Sequence, residues 1–283
     1  MNAQHVSISD LKFVYPDGTE AISGVNLSIG HGERIGLVGE NGSGKTTLCK
    51  HMNGLLSPTS GRIFVDGTDV ANIRTQEIAA KVGYLFQNPD HQIFCSSVAE
   101  EMSFGLKNIG LPQAEIERRV AGYMRLLGIE HLSNEPPLML SIGERRLVTV
   151  ASALAMEQEL MILDEPVAWL DARQAKLVAE AMKEAGRSGR TIILITHNMK
   201  LVADLTDRLI VMSQGKTVYD GKTRDLVSDP EAMSRARLVS PPVTMLAESI
   251  KGASGMPRKV ATVQDFVSWM EESRKGGGAH GPR

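Results

Sequence analysis

Cysteine is scarce in this chain: Cys49 and Cys95 are the only two in 283 residues, far apart and without metal-ligand spacing. That excludes a disulfide-stapled scaffold and a thiolate metal centre, and a reducing cytosol fits best. Cys49 falls in a helical stretch, where a small packing residue is expected rather than a nucleophile. Long apolar runs are missing as well. No stretch of 18 or more apolar residues occurs, and residues 1–10 lack the charged start and apolar run of a secretory signal. Any membrane connection therefore has to come through a partner. Charge of one sign is also absent: a formal net charge of −2 leaves no overall basic footprint, so nucleic acid is not expected as a partner. What remains is ordinary globular composition, long enough for one large domain with an appendage or two modest domains.

Chemistry is carried by Gly39-Glu40-Asn41-Gly42-Ser43-Gly44-Lys45-Thr46-Thr47. The apolar run over 34–38 reads as a buried strand, and residues 46–53 read as a helix stopped by Gly54. A strand feeding a glycine loop into a helix N-terminus turns successive backbone N–H groups, and the positive end of the helix dipole, toward one point. That point favours phosphate. Gly39, Gly42 and Gly44 let the backbone curl close to the oxygens, with Asn41, Ser43 and Thr47 in the same cradle. Lys45 places a charge on the β- and γ-phosphates, and the Thr46 hydroxyl can ligate Mg2+.

Upstream, Val6, Ile8, Leu11 and Phe13 mark an edge strand and residues 25–29 alternate as another, with the turn Tyr15-Pro16-Asp17-Gly18 between them. Tyr15 can lie over a base or serve as a half-buried packing ring. Residues 61–67 read as a strand ending in a turn, and 81–86 as a strand delivering Gln87 to its end. Strand signals vanish over 88–158, where Ile116, Val120, Tyr123 or Met124, and Leu127 share one helical face and Gly128 is its stop. Sheet signals resume at 160–163 and 191–195 and finish in a hairpin of 209–212 with 216–219 around Gly215. Between the first two, Asp171 can cap a helix with Leu177, Val178, Ala181, Met182 and Ala185 on one face. Strands alternating with helices imply a parallel sheet core, with ligands beyond the carboxyl ends of its strands.

From about residue 228 the pattern loosens. Pro241-Pro242 breaks the chain, 252–257 reads as a flexible link, and 275–283 as a disordered tail. Thr262 caps a short helix with Val263, Phe266, Val267 and Met270 on one side. So short a helix is marginal alone, and this face has to pack on the main domain or on another subunit.

Three further features meet at the strand ends. Leu163 leads into Asp164-Glu165-Pro166, and adjacent carboxylates beside a phosphate loop need a cation or proton to offset them. Asp164 on the Mg2+ sphere and Glu165 polarising an attacking water provide that. Thr196-His197-Asn198 ends the 191–195 strand, where His197 is placed to donate a hydrogen bond to a γ-phosphate. In Leu140-Ser141-Ile142-Gly143-Glu144, Ser141 and Glu144 form a capping box that opens a helix.

Taken in order, Tyr15, the 39–46 loop, Gln87, the 140–144 segment, the run from Leu160 to Glu165, Leu170-Asp171 and His197 resemble the ATP-binding-cassette ATPases over about residues 3–225. Within that family, Gln87-Asn88-Pro89-Asp90-His91-Gln92-Ile93-Phe94, then Ala99-Glu100-Glu101-Met102-Ser103-Phe104-Gly105 and Gly110-Leu111-Pro112, are similar to the energy-coupling factor ATPases that drive vitamin and cobalt or nickel importers. The resemblance implies an α/β P-loop NTPase fold over 1–227 with a mixed sheet core, a helical subdomain inserted at about 88–158, and a small C-terminal helical extension over 228–274. It implies ATP and Mg2+ as cofactors, and two subunits packed head to tail. Ser141 and Gly143 of one would reach the γ-phosphate held by Lys45 of the other. Tyr15 would stack on adenine, Gln87 would sense Mg2+ and the attacking water, Asp171 would cross the interface, and His197 would brace the transition state. A groove near Gln87 and Gln92 would take a short helix from a transmembrane coupling subunit, with a substrate-capture membrane subunit alongside and the ATPase peripheral on the cytoplasmic face.

The expected activity is ATP hydrolysis coupled to micronutrient uptake. Two alternatives come from other classes. A soluble nucleotide-gated clamp acting on nucleic acid or ribosomes is opposed by the weak net acidity and the 87–104 segment. A weakly hydrolysing regulatory half of a heterodimer is opposed by Glu165 and His197, while Ile142 keeps it open. Ile142 stands where the family usually has Gly, Glu144 where it usually has Gln, and Val167-Ala168-Trp169 where small residues are common. Ile142 adds bulk and Glu144 a charge opposed to the nucleotide's, which predicts a weakened signature suited to a heterodimer with one better site.

Overall fold

The computed structural model describes residues 4–250 and 260–276. β1 (Gln4–Val14) and β2 (Glu20–Gly30) bury roughly alternate residues and pair antiparallel across the Tyr15 turn. β3 (Arg34–Gly39) is buried along nearly its whole length, as a strand covered on both faces must be, and the glycine loop hands it to α1 (Lys45–Met52). β4 (Ser60–Val65) then returns antiparallel to β1, and β5 (Thr68–Asp69) adds to it, giving a four-stranded sheet in the order β2-β1-β4-β5. β1 is therefore an inner strand, not the edge strand expected. One buried face looks the same in both settings, and the strand that fills the second ladder lies beyond α1.

α2 (Thr75–Lys81) leads into β6 (Val82–Leu85), after which the chain leaves the sheet for α3 (Val98–Asn108), α4 (Gln113–Leu127) and α5 (Ile142–Ala155). α4 buries Ile116, Val120, Met124 and Leu127 and stops at Gly128 with φ 69°. Met124, not Tyr123, completes that face, because the Tyr123 hydroxyl turns out to donate to Glu157 at 3.1 Å. β7 (Leu160–Asp164), α6 (Ala172–Arg187), β8 (Thr191–Ile195), α7 (Met199–Leu205), β9 (Arg208–Ser213) and β10 (Lys216–Lys222) follow. They complete a six-stranded sheet in the order β10-β9-β3-β8-β7-β6, parallel except for the β9–β10 hairpin. Asp171 caps α6 through a reciprocal capping box with Gln174.

Among the described residues three apolar clusters cover the parallel sheet, the smallest joining Val38, Val202, Val211 and Met233 on the side of the C-terminal helices; the two larger ones flank the site. One lies under α3 to α6 and includes Leu85, Leu147, Leu154, Met182 and Leu194; the other lies between the two sheets around α1 and includes Leu37, Leu48, Met52 and Ile193. Cys49 is fully buried in the second, as a packing residue. The order β3-β8-β7-β6 sets up the site. It puts the glycine loop, His197, the Asp164-Glu165 pair and Gln87 at the carboxyl ends of four adjacent parallel strands, with Asp164 in register with Ile195.

The C-terminal region holds more helix than its sequence indicates: α8 (Thr223–Val227), α9 (Pro230–Arg235), α10 (Pro242–Ser249) and α11 (Val263–Gly276). Pro242 opens α10 instead of only breaking the chain, since the first helical position needs no N–H donor. Thr262 Oγ1 accepts the Asp265 N–H at 3.2 Å, and the Asp265 carboxylate pairs with Arg224 of α8 at 2.8 Å. Phe266 is half-buried, whereas Val263, Val267 and Met270 stay exposed. α11 reaches Gly276, so residues 275–276 are helical where a disordered tail was expected; 277–283 and the link over 252–257 lie outside the described residues. Among the described residues no helix is long and apolar enough to cross a membrane.

Candidate functional site

Two glycines of the loop are fixed by contacts that leave no room for a side chain. Gly39 has φ +145°, and a Cβ there would lie 2.1 Å from the Met212 carbonyl oxygen; Gly44 has φ +100°, and a Cβ would lie 2.5 Å from the Ala21 carbonyl oxygen. Lys45 Nζ donates to the Gly39 and Glu40 carbonyls, both at 2.8 Å, and to Ser43 Oγ at 3.3 Å. Its partners are neutral loop oxygens, and burial lowers its pKa. A desolvated ammonium held by neutral acceptors offers a polyanion a strong partner.

Opposite it, Asp164 is buried and accepts from Thr46 Oγ1 at 3.0 Å and Tyr84 Oη at 3.5 Å. Burial raises its pKa, and the neighbouring Glu165 charge pushes the same way. Glu165 has left-handed φ +48°. Its two oxygens accept the Thr196 hydroxyl at 2.8 Å and the His197 backbone N–H at 2.9 Å, while His197 Nε2 stands 3.9 Å away. A hydroxyl beside paired, poorly compensated carboxylates is a hard-oxygen donor set that fits Mg2+.

Between these groups opens a cavity of about 380 Å³. The expected residues that line it are Asn41, Gly42, Gly44, Lys45, Thr46 and Thr47 of the loop, with Tyr15, Gln87, Asp164, Glu165 and His197. Gly39 and Ser43 sit behind them on Lys45. Tyr15 is half-buried at the cavity wall, packs edge-on against Phe13 and shares a 2.9 Å hydrogen bond with Thr47 Oγ1. Thr19, just before β2, and Glu20 and Ala21 at its start also line the cavity and were not singled out from sequence.

Ser141, Gly143 and Asp171 do not line this cavity. Ser141 caps α5, donating its backbone N–H and its hydroxyl to Glu144 Oε2 at 2.9 and 2.6 Å. Those bonds lower the Glu144 pKa and hold it ionised. A Cβ on Gly143 would come within 3.1 Å of the Trp169 carbonyl oxygen. Around this helix start Leu138, Met139, Ile142 and Trp169 expose apolar surface.

Arg146 is a positioning residue that sequence reading missed. It is wholly buried, and its guanidinium donates to the carbonyls of Phe86, Asp164, Glu165 and Pro166. One side chain on α5 thus holds both the turn that carries Gln87 and the turn that carries the paired carboxylates. Burial lowers its pKa to about 10, which leaves it charged at neutral pH. In Glu144-Arg145-Arg146 it reads as surface charge; its place one turn into a capped helix, on the face shared with buried Val150 and Ala153, is the only sequence signal.

A glycine cradle ending in a buried lysine, paired carboxylates on a neighbouring strand end, and helices inserted between sheet strands define a P-loop nucleotide-binding domain of the ATP-binding-cassette class. Residues 22–168 match the family model for ABC transporters, and the chain belongs to that family, as an ATP-binding domain with the ABC ATPase fold. An energy-coupling factor transporter ATP-binding protein, EcfA, of Methanocaldococcus jannaschii is 39% identical over 254 residues, covering 89% of this chain and 91% of that protein. A putative ABC transporter ATP-binding protein of Methanosarcina acetivorans is 40% identical over 268 residues, 94% of this chain; the chain spans only 44% of that relative's length. Among solved structures, cbiO1 of Clostridium perfringens, part of the ABC transporter complex cbiONQ, superposes with a TM-score of 0.72 at 35% identity, covering 87% of this chain and 100% of that one.

Two consequences are measurable. Arg146→Met removes the donors of four carbonyls and should destabilise the chain by roughly 3 kcal/mol in urea denaturation; an unchanged midpoint contradicts its role. The folded state holds a proton on Asp164 more tightly than the unfolded chain does, so above its raised pKa the ionised carboxylate subtracts stability. Asp164→Asn keeps an acceptor for Thr46 and should raise the thermal midpoint of nucleotide-free, Mg2+-free protein at neutral pH. The gain should fade as pH falls through the carboxylate range, and no gain at neutral pH refutes the assignment.

Proposed function

We propose that this chain is the ATP-hydrolysing subunit of an energy-coupling factor type importer, one of two cassettes packed head to tail. The observation that carries the reading is a buried lysine with only neutral partners facing two adjacent carboxylates held by hydroxyl and N–H donors. A magnesium nucleotide satisfies both at once. Lys45 takes the β- and γ-phosphates, Thr46 and Asp164 hold Mg2+ with Gln87 beside them, and Glu165 accepts the proton of the attacking water. His197 donates to the γ-phosphate and Tyr15 meets the adenine. In this reading the cassette covers 1–227 with its helical subdomain at 88–158, and 228–274 is an appended extension.

Ser141, Gly143 and Asp171 act on the nucleotide of the facing protomer. The exposed Leu138, Met139, Ile142 and Trp169 support a surface that a second cassette covers. A separate groove of about 290 Å³, whose lining includes Tyr84, Phe86, Gln92, Phe94 and Phe104, supports docking of a short helix from a transmembrane coupling subunit. Phe94 and Phe104 stack edge-on there with centroids 4.6 Å apart and remain exposed. The chain then sits peripherally on the cytoplasmic face, beside a substrate-capture subunit. Its cargo is a vitamin or a cobalt or nickel ion, the class served by the group that the 87–112 segment resembles.

One observation favours a weakened site paired with a stronger one. The Ser141 hydroxyl donates its hydrogen bond to the ionised Glu144, so the helix start meets a phosphate with a carboxylate beside it. Glu144→Gln should raise ATP turnover about threefold or more by removing that charge; unchanged or lower turnover counts against a weakened signature. Glu165→Gln should leave ATP binding intact and cut phosphate release by roughly a hundredfold or more. Retained hydrolysis would exclude Glu165 as the essential base.

A further inference from the structure

At the end of the sheet remote from the nucleotide cavity, four side chains converge that the ATPase reading does not use. His5 of β1, His31 between β2 and β3, Asp66 after β4 and Glu159 before β7 each offer one donor atom, all within 4.8 Å of one another. The backbone dictates the meeting. Val6 pairs with Val65 across the β1–β4 ladder, and the Asp66 N–H donates to the His5 carbonyl at 2.9 Å. Glu159 precedes β7, whose far end carries Asp164, and at about 3.3 Å per residue those five residues hold the two places roughly 16 Å apart.

The decisive feature is His5. It is fully buried, its Nδ1 bonds Thr191 Oγ1 at 2.8 Å, and its Nε2 has no hydrogen-bond partner. A buried ring nitrogen left unpaired carries a desolvation penalty and calls for a ligand. Thr191 Oγ1 accepts the Gly32 N–H at 2.8 Å and donates toward the Gly30 carbonyl at 3.4 Å. With its proton engaged it accepts from His5 Nδ1–H, which leaves a lone pair on Nε2. The His31 ring stacks on His5 with centroids 4.1 Å apart and planes 11° apart. His5 Nε2 lies 3.7 Å and His31 Nε2 3.3 Å from the same Asp66 Oδ1.

We propose that His5, His31, Asp66 and Glu159 bind a divalent transition-metal ion of the zinc type, clamping the antiparallel sheet to the start of β7. A tetrahedral ion with bonds of about 2.0–2.1 Å keeps its donors about 3.3–3.4 Å apart. The His31–Asp66 spacing already fits and His5 Nε2 lies a few tenths of an ångström beyond it, while the exposed His31 ring has to turn out of its stack on His5 to aim its lone pair at the same ion. Two neutral imidazoles and two carboxylates balance the charge of a divalent ion, and imidazole donors select against Mg2+ and Ca2+. Lys81 Nζ stands 3.5 Å from Asp66 Oδ2, on the carboxylate oxygen the ion does not need. Four protein donors make a closed, structural type of site.

Co2+ reports such a site by its visible d–d absorption. Titrating the full chain with Co2+ in excess Mg2+, so that the nucleotide site is occupied, should give a saturable band of tetrahedral intensity, one ion per chain, displaced by Zn2+. His31→Ala, at an exposed position, should abolish the band with circular dichroism unchanged, and Zn2+ should raise the thermal midpoint of the wild type but not of this variant. Should His31→Ala fail to fold, Glu159→Gln, also exposed, carries the same test. No band, a band undiminished in the folded variant, or equal stabilisation by Zn2+ in both proteins would overturn the proposal. None of the four residues lines the nucleotide cavity, so loss of the ATPase reading would leave this result standing.

Discussion

Charge withdrawn from water at the ends of parallel strands is the constraint on which this molecule depends. Lys45 and Arg146 are buried cations, Asp164 a buried anion, and Glu165 nearly so. Among the described residues neither cation forms an ion pair with either carboxylate; both cations are held by backbone carbonyls of the loops that carry the site. Opposite charges are thus kept close without cancelling. A ligand that brings both signs, phosphate oxygens for Lys45 and a divalent ion for Asp164, relieves both burial penalties together.

The same constraint ties distant segments to one another. α5 starts at Ser141, on an exposed apolar face, and soon afterwards plants Arg146 on the turns beyond β6 and β7. Glu165, in turn, is oriented by donors from the end of β8. Arg146 thus joins the helix that Ser141 caps to both turns at the strand ends. The cluster of His5, His31, Asp66 and Glu159 secures the other end of the same strands, so the parallel sheet carries polar chemistry at both ends and apolar packing between them.

Much of the site was legible because local chemistry dictates it. A strand, a glycine loop and a helix N-terminus specify a phosphate cradle without help from tertiary context, and the paired carboxylates and His197 follow apolar strands whose ends had to meet. The inner position of β1 was not legible, since the β4 ladder is a nonlocal contact. Pro241-Pro242 reads as a break when only the second proline's role at a helix start is hidden. Arg146 could not be separated from Arg145 by type, because the difference is what surrounds the guanidinium. His5, His31, Asp66 and Glu159 lie far apart along the chain, and no spacing rule joins them. Whether Ser141, Gly143 and Asp171 meet a nucleotide depends on a second molecule, which one chain's sequence cannot display.

The central claim is that two cassettes sandwich each nucleotide between the loop of one and the α5 start of the other. Cysteine crosslinking tests it most directly. Chains carrying Asn41→Cys and chains carrying Ile142→Cys, both with Cys95→Ser, are mixed with ATP without Mg2+, alone and with the membrane subunits. The account predicts a nucleotide-dependent covalent dimer that contains one chain of each kind. Saturated nucleotide binding with monomers only, or with Asn41→Cys chains joined only to each other, in both settings, would contradict it.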